Sequence, residues 1–253
     1  MSGDVLKIRT ALRALLPRPI YNAYLRMRVA RQRRHNQAET LESVFTRIYE
    51  NHAWGGSPGD YCSGSGSSER HADRYAEAVR GFIRERGIGA VVDLGCGDFV
   101  VGRRIVANDV SYVGVDLVDS LVRRNRELYG TERVTFQRLD ITTEDLPPGD
   151  LCLVRQVLQH LSNAEIAAVL ARIARYRYVL VTEHYPAPSV RSVPNKDKPH
   201  GADTRIYDDS AVCLDQPPFN LRGLSLFLED DAVRDLMPPG EKLRTYLVEP
   251  HAD

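Results

Sequence analysis

One tryptophan, three methionines and four cysteines are few for 253 residues, and each scarcity narrows the reading. Cys62, Cys96, Cys152 and Cys213 are scattered with no C-x-x-C pair, so they are expected to be reduced thiols, with Cys96 and Cys152 packed at strand ends. No apolar run approaches the roughly 18 residues of a membrane span. Met1 to Arg18 carries too many charges for the core of a signal peptide, so a soluble, cytoplasmic protein is expected. Net charge is lacking as well: Lys+Arg and Asp+Glu are both 34, so no global field favours nucleic acid.

Charge is nevertheless uneven. Lys7, Arg9, Arg13, Arg18, Arg26, Arg28, Arg31, Arg33 and Arg34 make residues 1–40 a basic arm, with Asp4 the nearby acid. Leu12, Leu15, Leu16, Ile20, Tyr24, Leu25 and Met27 give it an apolar side for helical packing, interrupted by Pro17 and Pro19. Such an arm serves to pack on its own domain or on a second subunit of a homodimer. Membrane-surface docking and RNA contact are the competing readings, and the sparse aromatics argue against nucleic acid.

Val91-Val92-Asp93-Leu94-Gly95-Cys96-Gly97-Asp98 reads as a buried strand ending in a glycine turn, with a helix expected from near Asp98. Gly95 and Gly97 lack the Cβ atoms that would hold a ligand off the backbone. A second strand, Ser111 to Asp116, ends in an acid placed to accept two hydrogen bonds from a ribose diol. A third, Val134 to Leu139, is followed by Asp140-Ile141. A dinucleotide-binding turn needs G-x-G-x-x-G, but the residue three beyond Gly97 is Val100.

With Asp116 and Asp140 in order behind the glycine turn, residues 90–184 resemble the class I S-adenosylmethionine-dependent methyltransferases. The resemblance implies an α/β, Rossmann-like, seven-stranded, mostly parallel sheet with helices on both faces and an N-terminal helical extension. It assigns to the cofactor Trp54, Ser67, Asp93, Gly95, Cys96, Gly97, Asp116, Leu117, Asp140, Ile141 and Gln156. Shorter motifs point further. Phe45 to Gly55, the Ser-Gly-Ser-Gly-Ser-Ser run at 63–68, Gly97-Asp98-Phe99, Val157-Leu158-Gln159-His160-Leu161, Pro194-Asn195-Lys196-Asp197 and Gln216 to Leu221 resemble sugar O-methyltransferases of bacterial polysaccharide gene clusters, the methylmannose polysaccharide type among them. That likeness implies a carbohydrate hydroxyl as acceptor and leaves a divalent metal such as Mg open. In that group an acid often stands where this chain has Gln156, a departure that weighs against a carboxylate base or metal ligand there.

Three regions follow: the arm at 1–40, a helical and Gly/Ser-loop cap at 41–89, and the core at 90–253. Leu41, Val44, Phe45 and Ile48 recur at helical spacing in the cap. Its loop, Asn51 to Ser68, has a linker composition, but it carries the sole tryptophan, Trp54, so it is expected to fold over the cofactor. In the core, Asp119 to Tyr129 and Asn163 to Tyr176 read as helices, the latter capped by Ser162 or Asn163. Asp150 to Arg155 and Tyr178 to Thr182 read as strands. The connection at 186–220 is long and Pro- and Asp-rich, as functional lids are, and its Asn195, Lys196, Asp197, His200, Asp203 and Arg205 suit a sugar. Leu224 to Leu228 and Lys242 to Val248 suit a closing antiparallel pair, with Asp231 to Met237 between them.

Methyl transfer is an in-line displacement in which alignment does much of the work, and an alcohol benefits from a base near its proton. His160 follows the fourth strand and His184 the fifth, with Glu183 placed to orient His184 or share a ligand. His160, His184 and Glu183 are therefore the catalytic candidates, and a joint site for the two histidines is expected at one sheet edge. His52 ranks third, while His35, His71 and His251 read as surface residues. Asp98, Tyr185, Asn195 and Asp197 are candidates for the acceptor or the methionine ammonium, Asp98 serving equally well as a simple helix N-cap. Methylation of a small metabolite at oxygen or nitrogen, and a non-catalytic binding protein, are the competing functions.

Overall fold

The computed structural model describes residues 17–57, 59–64, 66, 69–107, 109–230 and 240–250. Short apolar runs in the core form strands because successive side chains leave an extended chain on opposite faces, so a strand buried on both sides must be apolar throughout. Strands β1 (Ala90–Leu94), β4 (Leu151–Arg155) and β5 (Tyr178–Tyr185) follow this rule most closely, and with β2 (Ser111–Asp116) and the edge strand β3 (Val134–Arg138), which alternates buried and exposed residues, they lie in parallel register. Val91, Leu151, Leu153 and Leu180 enter one core, and Val92, Leu94, Cys152, Val154, Val179 and Val181 the other. Strands β6 (Leu224–Asp230) and β7 (Lys242–Val248) complete a seven-stranded sheet of order β3-β2-β1-β4-β5-β7-β6, in which only β7 is reversed. This is the expected Rossmann-like, mostly parallel sheet.

Helices cover both faces. Three precede or enter the sheet: α1 (Arg18–Asn36), α2 (Leu41–Glu50), whose Thr40 hydroxyl accepts the Ser43 N–H at 3.2 Å, and α3 (Glu69–Arg86). The α3 side chains Tyr75, Ala76, Val79, Phe82 and Ile83 fill the first core. A single turn, α4 (Gly102–Ile105), follows β1, and α5 (Asp119–Tyr129) follows β2. On the other face α6 (Asn163–Ile173) buries Ile166, Val169, Leu170 and Ile173, and Ser162 with Glu165 closes a reciprocal capping box at its start.

Two sequence expectations need correction. No helix starts near Asp98: the chain turns through Phe99 at φ +65° and the helix begins only at Gly102. The Phe99 ring is the cause, packing edge-on to Phe136 at 4.9 Å and against Tyr112 and Tyr129 instead of following a helical path. Strand β5 also does not stop at Thr182. Pairing of Glu183, His184 and Tyr185 with Arg244, Leu243 and Lys242 of β7 carries it three residues further.

The connection at 186–220 is long and irregular, its one regular turn being a 3-10 helix at Arg205–Asp208. Helix α1 holds it. Arg33 donates to Asp203 at 2.7 Å and to Asp208 at 2.5 Å, and the Asn36 amide donates to the His200 carbonyl at 2.9 Å. The basic arm thus contacts its own chain through Arg26, Arg33 and Asn36; residues 1–16, and the segment Asp231 to Met237 expected between β6 and β7, lie outside the described residues. Among the described residues no helix is long and apolar enough to cross a membrane.

Candidate active site

A cavity opens at the carboxyl edge of β1 to β4, where the crossover connections part above the strand ends. Gly95, Gly97, Asp116, Leu117, Asp140, Ile141 and Gln156 line its floor, and Trp54 and His160 its roof. Asp116, at the end of β2, accepts N–H groups from Gly97 and Val118, each at 3.1 Å, one on each carboxylate oxygen. A carboxylate has about four acceptor positions, so capacity remains for a diol. Burial raises its pKa above the ordinary value, opposed by those backbone donors. Asp140 is steadied through one oxygen by the Thr142 N–H and hydroxyl at 2.8 and 2.6 Å.

The glycine turn works differently from expectation. Gly95 and Gly97 stand at φ +73° and +57°, where a Cβ is strained. A Cβ on Gly95 would meet Val157 at 2.5 Å, and one on Gly97 would meet the Ser63 hydroxyl at 2.2 Å. These glycines make room for protein as well as for a ligand. Ser63 and Asp98 clasp each other: the Ser63 N–H donates to the Asp98 carboxylate at 3.0 Å, and the Asp98 N–H to the Ser63 hydroxyl at 2.8 Å. The Tyr49 and Ser63 hydroxyls lie 3.0 Å apart. The Gly/Ser loop is therefore fastened to the turn at Ser63, while Ser67 lies outside the described residues.

Trp54 sits in a cluster of rings, 5.2 Å from Tyr49, 6.0 Å from Phe45 and 5.0 Å from His160, and its indole N–H donates to the Ala202 carbonyl at 3.2 Å. His160 closes a 3-10 turn, Leu158–His160, and its Nδ1 lies 3.1 Å from the Gly201 carbonyl. That carbonyl can only accept, so Nδ1 carries the proton and Nε2 keeps its lone pair. Burial, then the cation of Lys198, push the imidazole pKa down to about 4, so the ring is neutral at physiological pH.

The remaining candidates do not line this cavity. His184 and Glu183 are adjacent within β5 and so point to opposite faces, which removes the joint histidine site. His184 shares Val179's and Val181's strand but the other parity, and its Nε2 lies 2.6 Å from the Glu241 carboxylate. Glu183 is 2% exposed and accepts the Leu158 and Gln159 N–H groups at 2.9 and 3.1 Å. It braces the turn that carries His160, and burial pushes its pKa up to about 8. Tyr185 donates its hydroxyl to the Val212 carbonyl at 2.7 Å. Asn195 is turned inward to the carbonyls of Cys213 and Pro217, and Asp197 accepts the Asn163 N–H at 2.8 Å at the start of α6. Asp93 accepts the Tyr112 hydroxyl beneath the edge, burial raising its pKa to about 6, and the Cys96 side chain is buried in the first core. His52 does not line the cavity either.

Sequence reasoning passed over Phe45, Tyr49, Ser63 and Arg155, which do line it. For Arg155 the signal was present: one charge closes the apolar run Leu151-Cys152-Leu153-Val154 at the productive edge. For Tyr49 and Ser63 no local signal exists, because both arrive through the docking of the cap.

Residues 92–176 match the family model of a methyltransferase domain. The match runs from within β1 to just beyond α6. Its fold is similar to that of 1,6-didemethyltoxoflavin-N1-methyltransferase from Burkholderia thailandensis, solved with 1,6-didemethyltoxoflavin and S-adenosylhomocysteine, at TM-score 0.53 and 17% identity over 85% of this chain and 89% of that one. The methyltransferase domain of bacterial CtHen1 is similar at TM-score 0.51 and 14% identity, over 71% of this chain and 98% of that one. No curated protein matches the sequence. At these identities the structural likeness carries the fold. Among the described residues no group of three or more His, Cys, Asp or Glu side chains is arranged to hold a metal ion.

Proposed function

We propose that this methyltransferase takes its methyl group from S-adenosylmethionine and transfers it to a carbohydrate hydroxyl, with His160 as the base. The residues fit the cofactor. Asp116 has acceptor capacity left for the ribose, Asp140 and Ile141 flank the adenine side, and the buried Arg155 Nε and Gln156 Nε2 beside the glycine turn lack hydrogen-bond partners within the protein. An unsatisfied buried donor is costly, so such atoms mark a polar ligand. When bound, the cofactor supplies an electrophilic methyl carbon on a positively charged sulfur.

The observation that carries the reaction is the imidazole of His160, which lines the cavity roofed by Trp54 with its tautomer set by the Gly201 carbonyl; its unprotonated Nε2 has only a long 3.4 Å contact to the Gln159 amide nitrogen, which a substrate hydroxyl would replace. A base of low pKa suffices here. An alcohol becomes strongly acidic only once its oxygen begins to bond to the methyl carbon, so its proton leaves late and needs only a positioned lone pair. Alignment of oxygen, carbon and sulfur then contributes most of the acceleration. The rings of Phe45, Tyr49 and Trp54 offer apolar faces on which the C–H side of a sugar packs, and the connection at 186–220 serves as the acceptor lid.

The same apolar lining, with Leu41, Leu139 and Leu161 added, also suits a small flat metabolite methylated at oxygen or nitrogen. One screen separates the readings: adenosylhomocysteine release measured against mono- and oligosaccharides and against small aromatic hydroxyl and ring N–H compounds, each with and without EDTA. Turnover confined to the sugars supports the proposal, and turnover confined to the aromatics replaces it.

A further inference from the structure

The segment His200 to Asp203 is gripped from two sides. On its inner side the Gly201 N–H donates to the His160 carbonyl at 2.9 Å, the Gly201 carbonyl accepts His160 Nδ1 at 3.1 Å, and the Ala202 carbonyl accepts the Trp54 indole at 3.2 Å. Two side chains of the cavity roof therefore take their orientation from two consecutive residues. On the outer side stands the last turn of α1. Arg33 donates to the Asp203 carboxylate through Nε and Nη2 at 3.0 and 2.7 Å and to Asp208 at 2.5 Å, and the Asn36 amide donates to the His200 carbonyl at 2.9 Å. Asn36 lies so close that a Cβ on Gly201 would meet its amide nitrogen at 2.5 Å.

The Arg33, Asp203 and Asp208 side chains keep only 17%, 9% and 19% of their exposure, so this cation and its two carboxylates escape much of the screening that makes open surface pairs weak. The flanks of the segment are held elsewhere. Asp197 and His200 are tied to Asn163 and Glu165 at the start of α6, and Arg205 donates to the Leu161 carbonyl at 2.8 Å. Between those ties Asp203 depends on α1, because Lys198 Nζ stands 3.8 Å from it and donates to the Pro199 carbonyl. The same turn of α1 reaches the cap: Asn36 accepts the Arg47 guanidinium of α2 at 3.0 Å, and α2 carries Phe45 and Tyr49 into the cavity lining. A helix that contributes no lining side chain thus steadies the residues that do.

We propose that Arg33 is a positioning residue for methyl transfer: from α1 it holds Gly201 and Ala202 where their carbonyls fix the rings of His160 and Trp54. This rests on the reading of His160 as the base. The His160 ring nitrogens, followed by NMR of the full chain from about pH 3 to 8 and assigned by their loss in His160→Ala, test it without an acceptor. In wild type Nδ1 should carry the proton and the ring should stay neutral down to about pH 4. Arg33→Met frees the segment, so the two tautomers should mix. The midpoint should rise toward the ordinary value of about 6.5, because water reaches the ring and Asp203, which acts on it together with Lys198, loses its counter-ion. With an acceptor from the screen above, kcat should fall about 10- to 100-fold, as a small displacement of a reacting group costs, while adenosylhomocysteine affinity stays within about 3-fold. Arg33→Lys, which keeps the charge without the fork, should recover part of both losses. Arg34→Met, an exposed change on the same helix, should match wild type. A wild-type ring titration or a wild-type kcat in Arg33→Met overturns the proposal, and so does an equal effect of Arg34→Met, which would leave only the charge of the arm. If Arg33→Met does not fold, Asp208→Asn, which keeps the cation and removes one of its carboxylates, decides by the same titration: a shift of the same sign supports the proposal, and an unmoved ring overturns it. Normal kcat in His160→Ala removes the base reading beneath it, whatever Arg33→Met does.

Discussion

Replacing His160 with alanine removes the only imidazole among the described residues that line the cavity. With a pKa of about 4, the ring is protonated in roughly one molecule in a thousand at pH 7. The working form is the neutral one, so turnover should be level from about pH 6 to 8 and should fall only as pH drops toward 4. General-base catalysis contributes about 100- to 10,000-fold, and a base this weak belongs at the lower end, so His160→Ala should lose about 100-fold in kcat, or about 2.7 kcal/mol of transition-state stabilisation. Adenosylhomocysteine affinity, measured by calorimetry, should hold, because Asp116, Asp140 and the glycine turn lie on other strands. His184→Ala is the internal comparison: on the far face of β5 and paired with Glu241, it should leave kcat within about threefold while lowering stability. Single-turnover rates with labelled adenosylmethionine across pH 4 to 8 decide the matter. Near-normal kcat in His160→Ala, or a wild-type acidic limb centred at the ordinary histidine value, would refute the reasoning and leave alignment as the source of catalysis.

Four other perturbations follow from the same geometry. Lys198→Met removes the cation that, after burial, holds the His160 pKa down, so the acidic limb of the rate profile should move to higher pH; an unmoved limb would show that burial alone sets it. Asp116→Ala removes the acceptor of the ribose diol and should weaken adenosylhomocysteine binding by about 1.5 to 3 kcal/mol, with unchanged calorimetric affinity counting against the assignment. Glu183→Ala leaves the Leu158 and Gln159 N–H groups buried without acceptors and should cost about 2 to 5 kcal/mol in urea unfolding. Trp54 is the only tryptophan, so its fluorescence should change on adding adenosylhomocysteine; a silent signal under saturation would take the indole off the ligand.

Residue order alone determined the sheet. The apolar run ending in Gly95-Cys96-Gly97 requires a strand buried on both faces, and parallel strands joined by helices place this ending, Asp116 and Asp140 at one edge. The alternation that separates Glu183 from His184 was legible too, since Val179 and Val181 share the parity of Glu183; what hid it was the length of β5, set by pairing with a strand some sixty residues later. Only the tertiary structure decided the rest. Arg33 meets Asp203 across 170 positions, the Trp54 indole meets Ala202 across 148, and Ser63 meets Asp98 across 35. No local periodicity encodes such pairs, because each depends on how α1 and the cap dock onto a finished sheet. The tautomer of His160 belongs to this second group. A histidine in a sequence has an ordinary pKa, and it acquires a neutral ring with an unprotonated Nε2 only when the Gly201 carbonyl, the Lys198 cation and the Trp54 ring are folded around it.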